Sequence, residues 1–417
     1  MYGGTYDDVY VVDNIGDVVS ESSSANGGSD TVVSSVTFTL ANYVEHLTLT
    51  GTSVINGVGN SLNNVLDGSL NSAANVLSGL DGDDAYILGA GDTIDTAAET
   101  SGIDTVITSE TYTLAANIEN LTLTGTNAIN GSGNTAANIL LGNTANNTLA
   151  GGAGNDLLIG DAGDDIVKGG NGNDILQGGG GNDTLSDMAG ANVLDSGAGT
   201  DTLSGSSGNE LFMGGTGNDT ITTGTGADII AFNRGDGMDT VNGGIGMDNT
   251  ITLGQGIDYG DLALSKVNND LILEVGAGEQ ISLSNWYNTA DNYKSVIDLQ
   301  VMADAMAAFD QNSADPLLNR CVQDFDFTAI VNAFDQARGA STTFMHWSAT
   351  NTLLAAHLGG SDTDALGGDL AHQYGTNGSL TGMNLTAVQT ALNDPLFGAQ
   401  AQTLHPLQGL QGGAVTL

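Results

Sequence analysis

Nine oxygen-bearing side chains recur at a spacing of nine residues: Asp156, Asp165, Asp174, Asp183, Asn192, Asp201, Glu210, Asp219 and Asp228. Each stands sixth in a nonapeptide that favours glycine at its first, second and fourth positions. From Gly151 to Ala231 the units run without a gap: GGAGNDLLI, GDAGDDIVK, GGNGNDILQ, GGGGNDTLS, DMAGANVLD, SGAGTDTLS, GSSGNELFM, GGTGNDTIT and TGTGADIIA. The first six residues of such a unit bend sharply, which calls for glycine where φ is positive or where carbonyls crowd an ion. Gly152, Gly154, Gly170, Gly172, Gly179, Gly181, Gly215 and Gly217 hold such positions. Carboxylates and crowded carbonyls are hard oxygen donors, suited to Ca²⁺ with six to eight ligands at about 2.4 Å. The expected ligand carboxylates are Asp156, Asp165, Asp174, Asp183, Asp201, Asp219 and Asp228, with Asp8, Asp84, Asp236 and Asp239 in related turns.

The last three residues of each unit read as a short strand with its middle side chain inward: Leu158, Val167, Leu176, Leu185, Leu194, Leu203, Phe212, Ile221 and Ile230. Three residues bury too little to order a glycine turn, whose backbone entropy costs about 1–2 kcal/mol per residue, so bound metal has to offset that cost. One Asp-Gly turn alone would be an ordinary loop. Nine in phase are not, and two weaker units, GNTAANILL from Gly133 and GNTANNTLA from Gly142, precede them in the same phase.

Upstream lies a longer duplication. SDTVVSSVTFTLANYVEHLTLTGT from Ser29 matches IDTVITSETYTLAANIENLTLTGT from Ile103. Each copy opens on a nonapeptide-like turn, GGTYDDVYV at Gly3 or GLDGDDAYI at Gly79, which places Asp8 and Asp84 at the sixth position. The alternation of Leu47 and Leu49, and of Leu121 and Leu123, with threonine reads as half-buried strand. Downstream, 262–284 alternates like hairpins turning at Asn268-Asn269 and at Gly276-Ala277-Gly278. From about 297 the pattern reads as helical, in VIDLQVMADAMAAF, FTAIVNAFDQAR, SATNTLLAAHL and NLTAVQTALND.

The 417 residues carry 6 Lys and Arg against 49 Asp and Glu, a net charge of −43. That balance excludes a nucleic-acid binder and attraction to anionic lipid, both of which need cations on the protein. A hydrophobic fraction of 40% argues against a solvated disordered acid, and 62 Gly against 3 Pro suits a repeat of tight turns. Cys321 is the sole cysteine, so there is no intrachain disulfide or thiolate cluster to supply stability. No apolar run reaches membrane-spanning length. Met1-Tyr2-Gly3-Gly4 lacks the regions of a cleaved signal peptide and begins inside a repeat, so the chain is expected to be the C-terminal part of something longer.

The nonapeptide array resembles the RTX, or haemolysin-type calcium-binding, repeat family over roughly 133–241. The resemblance implies a right-handed parallel β-roll with two nonapeptides per coil and Ca²⁺ between turns of adjacent coils. The long units at 3–132 resemble the extended repeats of large RTX surface proteins. Segment 232–298, with FNRGDGMDTV and ISLSNWY, resembles the cap that follows many RTX rolls. The C-terminal region resembles tails carrying an uncleaved signal for type I secretion.

With two units per coil, turns eighteen residues apart share a flank. Asp165, Asp183, Asp201 and Asp219 then line one flank without substitution, while Asn192 and Glu210 interrupt the other. A filled Ca²⁺ column is expected on the first flank. The second should hold its surest ion between Asp156 and Asp174 and bind weakly around Asn192 and Glu210.

Other signals carry less. Arg234-Gly235-Asp236 spells an adhesion tripeptide but sits where a terminal turn and a Ca²⁺ ligand are expected. His46, His346, His357, His372 and His405 form no H-E-x-x-H, and there is no G-x-S-x-G, so no zinc-protease or lipase site is written here. Met302, Met306 and Phe309 recur at helical spacing and read as core or as a protein-contact face, and Trp286 and Trp347 as structural.

The reading is a mainly β protein. Extended repeats fill 1–132, the nonapeptide β-roll 133–241, a β cap 242–298, and a small, mainly helical region with a secretion signal 299–417. The expected cofactor is Ca²⁺. The expected role is a non-enzymatic, extracellular structural or adhesive surface component (S-layer, filament or matrix). Its partners would be its own copies or a cell surface, and the type I machinery during export. The alternative is the secretion and folding module of a larger RTX toxin or hydrolase, and a stand-alone secreted hydrolase ranks third.

Overall fold

The computed structural model describes residues 1–21, 28–99, 101–244, 248–288, 293–341, 344–362, 368–380, 383–394 and 397. The end of the tail, in which the expected secretion signal would finish, lies outside them. The chain divides into two units, Met1–Asp161 and Ala162–Leu417.

The first unit is a stack of parallel coils. One inward side chain per coil builds its core, and Tyr10, Val32, Leu47, Leu66, Tyr86, Val106, Leu121, Leu140 and Leu158 follow one another in register. All are buried. The strands alternate buried and half-buried positions, as in His46–Leu49 and Asn120–Leu123. Leu47 and Leu49, and Leu121 and Leu123, are the buried ones, as the alternation with threonine required. On the opposite wall Phe38 pairs with Gly57 and Gly57 with Leu77, and in the second copy Tyr112 pairs with Gly131 and Gly131 with Leu149. A Cβ on Gly57 would come 2.8 Å from Leu47, and one on Gly131 2.8 Å from Leu121. The two copies therefore thin the wall at the same place to admit the same leucine.

In the second unit the coil is regular. Val167, Leu185, Leu203 and Ile221 stack on one wall, and Leu176, Leu194, Phe212 and Ile230 on the other, each eighteen residues from the next. These residues are fully or almost fully buried. Beyond Phe232 both walls change direction. Ile281 pairs antiparallel with Leu273, and Leu273's strand pairs antiparallel with Leu264's. These are the hairpins expected at 262–284, and Asn268 and Ala277 take positive φ in their turns. The other wall runs from Ile251 through Leu299 to Phe325 and His357, parallel at the first step and antiparallel after it. Among the described residues four helices complete the unit: α1 (Phe327–Arg338), α2 (Thr350–Ala356), α3 (Gly368–Asn377) and α4 (Leu385–Leu392). Asp326 caps α1 by accepting the Ala329 N–H at 2.8 Å, and Gly339 ends it at positive φ. Phe327, Ile330, Val331 and Phe334 bury the inner face of α1, and Trp286 meets Phe327 edge-on with centroids 5.9 Å apart.

One expected helix is corrected. Val296–Met302 is a strand, followed by a short 3₁₀ turn at Ala303–Ala305. Its burial is nearly continuous because sheet neighbours and α1 cover both faces. In such a run helical and strand periodicities are indistinguishable. The strand crosses the boundary drawn at 298/299. With Val322–Asp326, Phe344–Ser348 and His357–Ser361 it makes the C-terminal region mixed rather than mainly helical. Met302 and Met306 are buried core residues, and Phe309 is half-buried.

Candidate metal centre

The sixth-position carboxylates are buried, and one oxygen of each is bound to the preceding coil. On one flank the Asp165 N–H donates to Asp183 Oδ1 at 2.8 Å and the Asp183 N–H to Asp201 Oδ1 at 2.7 Å. The Asp201 N–H donates to Asp219 Oδ1 at 2.8 Å and the Asp219 N–H to Asp239 Oδ1 at 3.0 Å. The second oxygen is different. Oδ2 of Asp183, Asp201 and Asp219 is buried with no hydrogen-bond partner among the described residues. A buried carboxylate oxygen without partner is costly unless a cation or proton meets it.

The glycines shape the space. A Cβ on Gly178 would stand 2.4 Å from Asp183 Oδ2, and one on Gly214 2.5 Å from Asp219 Oδ2. At the fourth position the coils almost touch, since a Cβ on Gly181 would lie 2.0 Å from the Gly163 carbonyl oxygen. Gly181 has φ 140°, a region L side chains rarely adopt. Gly152, Gly154, Gly170, Gly172, Gly179, Gly215 and Gly217 share this positive φ. Stacked carbonyls and unpartnered carboxylate oxygens are an all-oxygen donor set, and it fits a hard divalent cation. Asp183, Asp201 and Asp219, with the turn carbonyls around them, would hold it.

Without that charge, burial drives protons onto the column. Asp183 is pushed up to about 6, against neighbouring Asp201 and Asp165, and Asp219 to about 7. Asp239 is pushed to about 8 and Asp236 to about 7, again chiefly by burial. Lys168 is the sole lysine or arginine before Arg234.

The other flank departs from this pattern at Asn192 and Glu210. Asn138 N–H donates to Asp156 Oδ1 at 2.8 Å, and Asp174 N–H to Asn192 Oδ1 at 2.8 Å. Asn192 Nδ2 donates to Asp187 Oδ1 at 2.9 Å and reaches Glu210 Oε1 at 3.4 Å. The Ser206 hydroxyl donates to Glu210 Oε1 at 3.0 Å and its N–H to Oε2 at 3.3 Å. Protein donors thus occupy the carboxylates where the sequence departs from Asp. Asp228 resumes the pattern, with Oδ1 accepting the Glu210 N–H at 3.0 Å and Oδ2 unpartnered. α4 lies along this flank. Gln389 Nε2 donates to the Asn173 carbonyl at 3.1 Å, Asn173 Nδ2 to Asn393 Oδ1 at 2.8 Å, and Asn209 Nδ2 to the Phe397 carbonyl.

The adhesion tripeptide is locked into the roll end. Arg234 pairs with Asp261 at 2.6 Å and donates to the Val275 carbonyl, while buried Asp236 accepts the Tyr374 hydroxyl at 3.1 Å. In the first unit Asp8 and Asp84 do occupy sixth positions, and each gathers acidic partners that the repeat pattern did not reveal. Glu21 and Asp30 lie with Asp8, and Glu99 and Asp104 with Asp84. The duplication aligned Asp30 with Asp104, but the glutamates fall nine residues before one and five before the other.

A family model describing four copies of the RTX calcium-binding nonapeptide repeat matches three stretches, residues 132–167, 168–203 and 204–239. No curated protein matches the chain.

Proposed function

We propose that this chain, whose residues 132–239 are RTX calcium-binding nonapeptide repeats, acts outside the cell as a non-enzymatic structural or adhesive surface component. RTX repeat proteins are typically secreted by type I systems. In a low-calcium cytosol the carboxylates repel one another and the chain stays loose enough for export. Outside, calcium binding drives the coil together, because an ion that binds only the folded form stabilises it. The observation that carries this reading is the row of buried, unpartnered Oδ2 atoms on Asp183, Asp201 and Asp219.

Assembly into a surface layer is supported by the first coil. Strand Val9–Val12 pairs with Thr31–Ser34 on one edge only among the described residues. Tyr2, Tyr6, Val9, Val11, Ile15 and Val18 are exposed beside it. A strand edge ringed by apolar side chains suits coverage by upstream chain or by a neighbouring molecule, and the second of these is the assembly proposed here. Electron microscopy of the native cell-associated protein tests this. Ordered layers or filaments that dissolve in chelator and return with Ca²⁺ are expected, and dispersed particles in both conditions would refute the structural role.

A further inference from the structure

We propose that Asp84, Glu99 and Asp104 form a divalent-cation site outside the array from Gly151 to Ala231, in which a glutamate from the loop between coils joins the sixth-position aspartate, and that Asp8, Glu21 and Asp30 form a related site. Each trio offers one carboxylate oxygen per residue, all within 4.8 Å of one another. Oxygens within that distance of one another can share one ion with bonds near about 2.4 Å, the distance Ca²⁺ prefers.

The site is built. Asp84, Glu99 and Asp104 are 2%, 4% and 2% exposed. Asp84 N–H donates to Asp104 Oδ1 at 2.8 Å and Asp104 N–H to Glu119 Oε2 at 2.8 Å, which fixes the two aspartates in stacked coils. Glu99 comes from another segment and is anchored through Oε1, which accepts the Gly79 N–H at 2.9 Å. The Tyr86 hydroxyl accepts the same N–H at 2.8 Å and bonds Glu99. This anchoring leaves Asp84 Oδ2 and Glu99 Oε2 buried and without a hydrogen-bond partner among the described residues. Gly79 walls the space, since a Cβ there would stand 1.9 Å from Asp84 Oδ2 and 2.5 Å from Tyr86 Oη.

The other copy repeats the aspartate stacking, while Asp8 and Glu21 are half-buried and Glu21 is held by the Gly4 N–H at 3.2 Å. Asp8 N–H donates to Asp30 Oδ1 at 2.8 Å and Asp30 N–H to Glu45 Oε2 at 2.9 Å. A Cβ on Gly3 would meet Tyr10 Oη at 2.2 Å, Asp8 Oδ2 at 2.3 Å and Glu21 Oε1 at 2.4 Å. No lysine or arginine precedes Lys168, so neither trio has a Lys or Arg of its own region to neutralise it. An open cleft of about 270 Å³ beside Glu99, Asp104 and Glu119 gives an ion access.

The proposal stands apart from the calcium reading of the nonapeptides, and one experiment separates them. The array from Gly151 to Ala231 holds no tyrosine or tryptophan, whereas Tyr86 touches the proposed site. The full chain is titrated with Tb³⁺, exciting tyrosine and reading sensitised emission, and bound Ca²⁺ per chain is counted by equilibrium dialysis. Glu99→Gln keeps the Gly79 contact and removes the charge. It should lose one Ca²⁺ per chain and the Tyr86-dependent emission, whereas Asp201→Asn should leave that emission intact. Tyr86→Phe, which keeps every ligand carboxylate, should lose the same emission and serves if Glu99→Gln does not fold. Wild-type ion count and emission in Glu99→Gln, or unchanged emission in Tyr86→Phe, would overturn the proposal.

Discussion

Asp201 and Asn192 hold the same position in neighbouring nonapeptides, and their surroundings separate them. Asp201 Oδ2 has no partner among the described residues, whereas the Asn192 amide reaches the carboxylates of Asp187 and Glu210. Asp201→Asn keeps the hydrogen bond from the Asp183 N–H and removes the charge an ion needs. In saturating calcium it should lower stability by about 3 kcal/mol, the contribution of a ligand present at about a hundred times its Kd. Asn192→Ala should cost about 1 kcal/mol, the usual net loss from a hydrogen bond. Thermal unfolding in calcium checks the order, and an equal loss in both variants would show that the flanks do not differ. At this scale the sequence was legible where one spacing repeats, so the sixth positions and the inward residues from Leu158 to Ile230 could be read off. Glu99 could not be read, because its distance from Asp104 differs from that of Glu21 to Asp30.

Among the elements, the glycine turn tolerates least. Gly181→Ala would force a Cβ to 2.0 Å from the Gly163 carbonyl at φ 140°, so the coils must part or the turn rebuild. A loss of at least about 2 kcal/mol is expected, with weakened calcium binding, measured by unfolding and by calcium titration. α4 presents a second case. It rests on the flank through Gln389 and Asn393, with Val388 and Leu392 buried. The Gln389→Ala/Asn393→Ala variant should speed amide exchange across 385–392 while 175–180 stays protected. Exchange unchanged in the helix would show that these contacts do not hold it. The helices at 327–338, 350–356 and 385–392 were legible from caps and spacing. The strand at 296–302 was not, since its two alternating polar positions, Asp298 and Gln300, are too few to set its period apart from that of the apolar run that follows.

For the molecule as a whole, charge decides when the coil can close. Asp183, Asp219 and Asp239 are held at about 6, 7 and 8, above an unfolded value of 3.8. Between those limits the folded chain binds protons that the unfolded chain does not, so its metal-free stability rises as pH falls. In chelator, β-structure should grow on acidifying from pH about 8 to about 5, and calcium affinity should fall over the same range as protons compete. A metal-free chain that instead loses structure in acid would contradict this ordering. The edge at Val9–Val12 is where upstream chain or a neighbouring molecule would pair. Val9→Lys/Val11→Lys should reduce concentration-dependent association in sedimentation velocity, and a wild-type chain that stays monomeric at high concentration would remove that edge from the account. Most direct of all is circular dichroism of the full chain near pH 8 in chelator, then in millimolar Ca²⁺, with Mg²⁺ as control. The account predicts little β-signal in chelator, a cooperative gain with Ca²⁺ and a poor response to Mg²⁺, and a chelator spectrum identical to the calcium spectrum would contradict it.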